Sequence, residues 1–123
     1  MKMQPDRLEG TNLISRLEGP RLWVHQTAFE GSLLVPHRGA VQAWSPARFD
    51  DLTAADFEAL LVLKPELVIM GTGPRLRFPA PVLRRALVEA RVGFEAMDSA
   101  AACRTFNVLA SEGRAVLAAL ILA

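Results

Sequence analysis

The chain has 123 residues, 51% of them hydrophobic and 22% charged, with a formal net charge of +1. That length fits one domain whose core needs neither metal nor disulfide, and Cys103, the single cysteine, excludes an internal disulfide and fits a reducing compartment. The near-neutral charge excludes a global field that would draw nucleic acid or an anionic membrane.

The first residues, "MKMQPDRLEG", lack a signal- or transit-peptide pattern. Residues 1–12 read as a loose arm. "RLWVHQ" (21–26) alternates, with Leu22 and Val24 on one face and Trp23 and His25 on the other, as a half-buried strand does. "TAFE" turns the chain into a second short strand over 31–36, and "AVQAWS" (40–45) is a third. Thr53 followed by Asp56 has the spacing of a capping box, and Leu52 and Phe57 that of a hydrophobic staple. A helix is therefore expected over 54–63, with Phe57, Leu60 and Leu61 inward and Pro65 as its stop.

Residues 67–70 are apolar without alternation, which suits a central parallel strand covered on both faces. Pro79 and Pro81 suit the first turn of a helix whose stripe is Leu83, Ala86, Leu87 and Ala90. On this reading Arg84, Arg85, Glu89 and Arg91 face water and Gly93 is the carboxyl cap. Residues 94–97 form a strand, and Asp98 or Ser99 caps a helix reaching about residue 110. The closing block, "AVLAALILA", is about half the ~18 residues of a membrane span and reads as a final strand over 115–122, with helix as the competing assignment.

The predicted order is β-β-β-α-β-α-β-α-β. This is an α/β class: one domain over 1–123, an antiparallel hairpin region (13–45) packed on a mainly parallel sheet with about three helices (53–122). Charge is uneven along it. Residues 75–91 hold five arginines against Glu89 alone.

Two strand ends carry the candidate chemistry. "GTGPRLR" fails the dinucleotide fingerprint, because Leu76 stands where the third glycine belongs, and it lacks the Gly-Lys-Ser/Thr of a phosphate loop. One reading is a turn whose glycines adopt backbone angles other residues avoid. The other is a ligand site, since ligands bind outside the carboxyl ends of strands in open α/β sheets. If the strands ending at Met70 and Met97 are neighbours, the Gly71-Thr72-Gly73 loop meets the helix starting at Asp98. Arg75, Arg77, Ser99, Arg104 and Asn107 would then complete an anion- or nucleotide-binding cleft. Arg104, Asn107 and Ser111 share a polar stripe, which also suits a structural tie to a neighbouring loop. Cys103 reads as a small buried hydrophobe, or alternatively as a thiol activated by the helix amino terminus. His25 and His37 lack the spacing and partners of a metal site, and Trp23 and Trp44 do not alternate with basic residues as a nucleic-acid platform would. No metal, cofactor or nucleic-acid partner is expected.

"LVIMGTG" together with "GFEAMDSAAACRTFNVLASEGRAVLAALIL" resembles the domain of unknown function 498 family. Its signature is a strand, a GTG loop, and then a strand running into Met-Asp-Thr-x-x-Ala-Cys-Arg-Thr-Tyr-Asn. Gly71 to Gly73, Met97, Asp98, Ala102 to Thr105 and Asn107 match it, while Ser99 replaces Thr and Phe106 replaces Tyr. The resemblance extends over about residues 13–122. It implies a β-rich half packed on a β/α layer. One branch of the family assembles mitochondrial respiratory complex I, so the resemblance implies a non-enzymatic protein-interaction or complex-assembly factor, while the lack of a leader pattern and of a membrane-span-length apolar run makes a cytoplasmic setting the expectation. The alternative is the small-anion or nucleotide-binding protein or enzyme that the strand-end cleft would make.

Overall fold

The computed structural model describes residues 10–122. Leu22 and Val24 are buried as their alternation requires, and they lie on the middle strand of an antiparallel meander. Its strands are β1 (Ile14–Glu18), β2 (Arg21–Val24) and β3 (Thr27–Glu30). "TAFE" is thus a strand and not a turn. The chain reverses at His25-Gln26, where Val24 pairs with Thr27 and His25 takes a left-handed φ of 54°. The tight reversal frees residues 27–30 to pair with β2 as a two-residue hairpin.

The next strand is β4 (Leu33–Pro36), followed by the short β5 (Gln42–Ala43). The part of the amino-terminal arm that is described is tied down. Asn12 donates its backbone N–H to the His37 carbonyl and its side-chain amide to the carbonyls of Pro36 and Gly39. The rest of the expected arm, residues 1–9, lies outside the described residues.

Helix α1 (Ala54–Glu58) starts at the anticipated capping box. The Asp56 carboxylate accepts from the Thr53 N–H at 2.8 Å, and the Thr53 hydroxyl accepts from the Asp56 N–H at 3.3 Å. The helix tightens to 3-10 geometry over Ala59–Leu63 and stops at Lys64 in a left-handed conformation before Pro65. The second helical segment begins as a 3-10 turn, Pro81–Arg84, and continues as α2 (Arg85–Glu89). Its left-handed carboxyl-terminal residue is Arg91, with φ of 59°, and not Gly93. Gly93 instead opens β7 (Gly93–Met97), where a Cβ would sit 2.9 Å from Leu67 Cδ1. Arg84 is half-buried, its guanidinium 4.7 Å from the Phe94 ring centre, so it leaves the water-facing set. The remaining elements are β6 (Leu67–Thr72), α3 (Ser99–Ser111) and β8 (Val116–Ile121).

The larger sheet runs β5-β4-β8-β6-β7. β6 is parallel to both β7 and β8, whereas β4 is antiparallel to β8 and to β5, so the sheet is mixed where a mainly parallel one was expected. β8 is a strand because it is buried along its whole length between two partners. Val116, Ala118 and Leu120 face one core, while Leu117, Ala119 and Ile121 face the other. The first core packs the sheet against α3 and the meander through Ile69, Phe106 and Leu22. The second packs the opposite face against α1 and α2 through Phe57, Leu60, Met70 and Leu87. At the amino-terminal edge, the Glu66 carboxylate accepts from the Ala115 N–H and from Arg114 Nε, which joins the starts of β6 and β8. Among the described residues no helix is long and apolar enough to cross a membrane.

Removing either half of the capping box leaves a helix-end N–H unsatisfied. Thr53→Ala and Asp56→Ala should each lower stability by about 1 kcal/mol. The double variant should lose clearly less than the sum, because the two residues act on one another. Urea midpoints at constant m-value measure this.

Candidate functional site at the carboxyl edge of the sheet

Parallel pairing of β6 with β7 puts Gly71 opposite Met97, so the two strand ends emerge side by side. The two glycines of the loop have different physical reasons. Gly73 takes a left-handed φ of 101°. Gly71 does not, but a Cβ there would lie 2.8 Å from Ser99 Oγ and 3.0 Å from Ser99 Cα. Its missing side chain is what lets the start of α3 approach β6.

That approach is sealed by hydrogen bonds. The Ser99 N–H donates to the Gly73 carbonyl at 2.8 Å, and Ser99 Oγ accepts from the Gly73 N–H at 2.9 Å. The same hydroxyl donates to the Ile121 carbonyl at 2.7 Å, which ties the end of β8 into the junction. Thr72 Oγ1 lies 2.7 Å from the Arg75 carbonyl and 3.1 Å from that of Met97, and accepts from the Arg77 N–H. Asp98 caps α3 by accepting from the Ala101 N–H at 2.9 Å. One turn into the helix and beyond, Asn107 donates to the Ile14 carbonyl and accepts from the Ile14 N–H, both at 2.8 Å. Asn107 thus makes the structural tie the polar stripe suggested, to strand β1 and not a loop, whereas Arg104 is exposed and Ser111 bonds within α3.

Among the described residues, the surface around this junction includes three depressions. The first, about 540 Å³, lies between the β1–β2 turn (Leu17, Gly19, Pro20) and the junction, and Gly73 and Ser99 line it. The second, about 410 Å³, is lined by Thr72, Arg75 and Arg77 together with Arg48, Phe49 and Asp50. The third, about 290 Å³, is lined by Cys103, Arg104 and Asn107 against β1. Gly71 is buried beneath them. The structure thus brings Gly71, Thr72, Gly73 and Ser99 into contact, sends Arg75 and Arg77 to one side of Pro74, and leaves Arg104 exposed near β1.

Sequence reasoning missed the partners of Arg77. Its guanidinium donates to the Asp50 carboxylate at 2.8 Å and sits 4.2 Å from the Phe49 ring centre. No local signal in the sequence joins residues 48–50 to position 77. Cys103 is buried, and burial pushes its thiol up from 9.0 to about 11, a shift the nearby Arg104 charge only partly opposes. Such a thiol is the reverse of an activated nucleophile. Among the described residues no group of three or more His, Cys, Asp or Glu side chains could hold a metal ion.

A mixed sheet with helices on its faces, an antiparallel meander and a sealed strand-end junction define an α/β domain of the kind called Mth938-like, the description borne by a Bordetella pertussis solution structure. That structure is 29% identical, with a TM-score of 0.84, over 99% of this chain and 92% of the other. A crystal structure from Bordetella parapertussis is 34% identical, with a TM-score of 0.86, over 93% of this chain and 98% of that one. The chain belongs to the family described as protein of unknown function (DUF498/DUF598), whose profile matches residues 14–121. A Bos taurus protein named NADH dehydrogenase (ubiquinone) 1 alpha subcomplex assembly factor 3 is 37% identical over 84 residues, 67% of this chain and 46% of that protein. The chain spans about half the length of the curated relatives it matches.

Ser99→Ala leaves the Gly73 N–H and the Ile121 carbonyl buried and unpaired, so it should cost roughly 2–3 kcal/mol. Arg104→Ala, on an exposed side chain, should stay within about 0.5 kcal/mol. Chemical denaturation of both variants checks the contrast.

The folded thiol of Cys103 is raised above its unfolded value. Its contribution to stability is therefore complete below pH 9 and is lost as the pH rises toward 11. Stability should fall over that window by at most about 2–3 kcal/mol, and the decline should vanish in Cys103→Ala. Labelling of the native thiol at pH 8 should run well below the rate of free cysteine and recover in urea.

Proposed function

We propose that this chain is a non-enzymatic protein-interaction factor that assists the assembly of a multi-subunit membrane complex. The observation that carries the reading is the 37% identity to a protein named as an NADH dehydrogenase assembly factor. The chemistry of the strand-end junction supports it. The polar groups of Thr72, Ser99 and Asn107 bond within the fold, and the thiol of Cys103 is buried with a raised pKa. In this proposal Gly71, Thr72, Gly73, Ser99 and Asn107 act as scaffold. Thr72, Gly73 and Ser99 hold the loop that carries Arg75 and Arg77, and Asn107 fastens β1 to α3. The same reading puts the protein in a reducing cytoplasmic setting, supported by Cys103 being kept as a buried thiol.

The test is affinity capture of a tagged copy expressed from its own locus, paired with deletion of the gene. The tagged protein should bring down subunits of a membrane oxidoreductase in partly assembled form. Membranes from the deletion strain should lose most of their NADH:quinone oxidoreductase activity and regain it on complementation. Unchanged membrane activity together with no recovered complex would refute the proposal.

A further inference from the structure

We propose that residues 75–88 form the docking surface for the assembly partner, and that the partner offers an acidic patch around an apolar pocket. The inference rests on the assembly reading and specifies where and by what chemistry contact is made. It begins from an outward display of apolar side chains. Leu76 is 48% exposed and Phe78 73%, while Val82 and Val88 are 61% and 65% exposed. These residues fall within one stretch of the sequence and follow the periods of their own backbone. In the extended loop the inward positions are Arg77, held by Asp50 and Phe49, and Pro79, which is buried. Alternation then turns Leu76 and Phe78 outward. In the helical segment Leu83 and Leu87 face the core. Val82, Arg85 and Val88 fall three residues apart on the opposite side.

The charge on this surface is one-sided. Arg75 and Arg85 are exposed, and among the described residues neither makes an ion pair. Glu89 is the single acid between residues 75 and 91. Unpaired guanidinium groups alternating in sequence with an exposed aromatic ring match the composition of interface centres, where aromatic residues and Arg are enriched. A second copy of this chain would oppose arginine to arginine, so the complementary occupant is acidic. Anionic lipid shares that charge, but Glu89 sits among the outward groups, and the apolar side chains are separate knobs and not a continuous face. Discrete knobs on a pinned loop suit pockets in a protein.

The experiment uses the full chain with p-benzoylphenylalanine in place of Phe78, photo-crosslinked in cells and captured. Three variants are captured in parallel: Phe78→Ser with Leu76→Ser, Arg75→Glu with Arg85→Glu, and Val108→Ser on the exposed face of α3. All substituted side chains are exposed, and circular dichroism verifies folding. The crosslink should map to one partner protein, at a segment where Asp or Glu flanks apolar side chains. The first two variants should lower partner recovery about tenfold or more, as loss of an anchor does, and added salt should weaken the wild type. Val108→Ser should match wild type. Undiminished recovery by the Phe78 variant overturns the docking surface and leaves the assembly reading standing. A crosslink to a second copy overturns it, as does Phe78-dependent binding to phosphatidylglycerol vesicles with no protein crosslink. If wild type captures no partner at all, both the surface and the assembly reading fall.

Discussion

The hydroxyl of Ser99 is the point on which the carboxyl edge of the sheet depends. It receives the Gly73 N–H and donates to the Ile121 carbonyl, so one side chain joins the loop after β6, the start of α3 and the end of β8. The contact exists only because Gly71 has no Cβ, since α3 begins 3.0 Å from where that atom would stand. Close packing and hydrogen bonding are therefore one constraint. The glycine sets the distance, and the distance lets a single serine satisfy two buried backbone groups that would otherwise cost about 1–3 kcal/mol each. Thr72 repeats the device one residue along, holding the turn at Arg75 and Arg77 against the end of β7.

This sealing determines what the edge can do. In open α/β sheets the carboxyl ends of strands are where ligands usually sit, because loop N–H groups and helix amino termini are free there. Here the Gly73 N–H and the Ser99 N–H bond to each other's residues, and the first free turn of α3 is capped by Asp98. What the edge presents outward is a fixed loop. Its inner positions are spent on Asp50, Phe49 and the core, and its outer positions carry Leu76 and Phe78. The strand-end motif thus serves the surface indirectly, by fixing the base from which that loop projects.

The parts of this arrangement that sequence could disclose are those with a local cause. The capping box at Thr53 was legible because two side chains three residues apart complete it. β6 was legible because an apolar run without alternation implies cover on both faces. The meeting of the two strand ends followed from the parallel alternation of strands and helices, and the segment over 97–107 was specific enough to indicate the family. The position of the β2–β3 hairpin was opaque. Residues 27–30 carry no strong strand pattern of their own and become a strand only because β2 offers an edge. Glycine was legible as punctuation but not as mechanism. Gly73 serves a left-handed angle, Gly71 and Gly93 serve close approach, and the left-handed role expected of Gly93 falls to Arg91. The candidate site was legible as a meeting place, whereas the direction of Arg77, set by Asp50 and Phe49, was not.

The exposure of Phe78 has no explanation within the fold. Two cores are already filled, yet an aromatic ring stays 73% exposed beside a proline that is buried. A mobile loop could fold such a ring back onto the surface, but this loop is fastened at Thr72, at Arg77 and at Pro79. Fastening holds the apolar surface in water and at the same time removes most of the ordering entropy that binding would otherwise require. The exposure works against stability, whereas the fastening favours it, and together they favour association. The hydrogen bonds at the strand ends and the outward ring are in this sense one structure, the first making the second available to a partner in a single geometry.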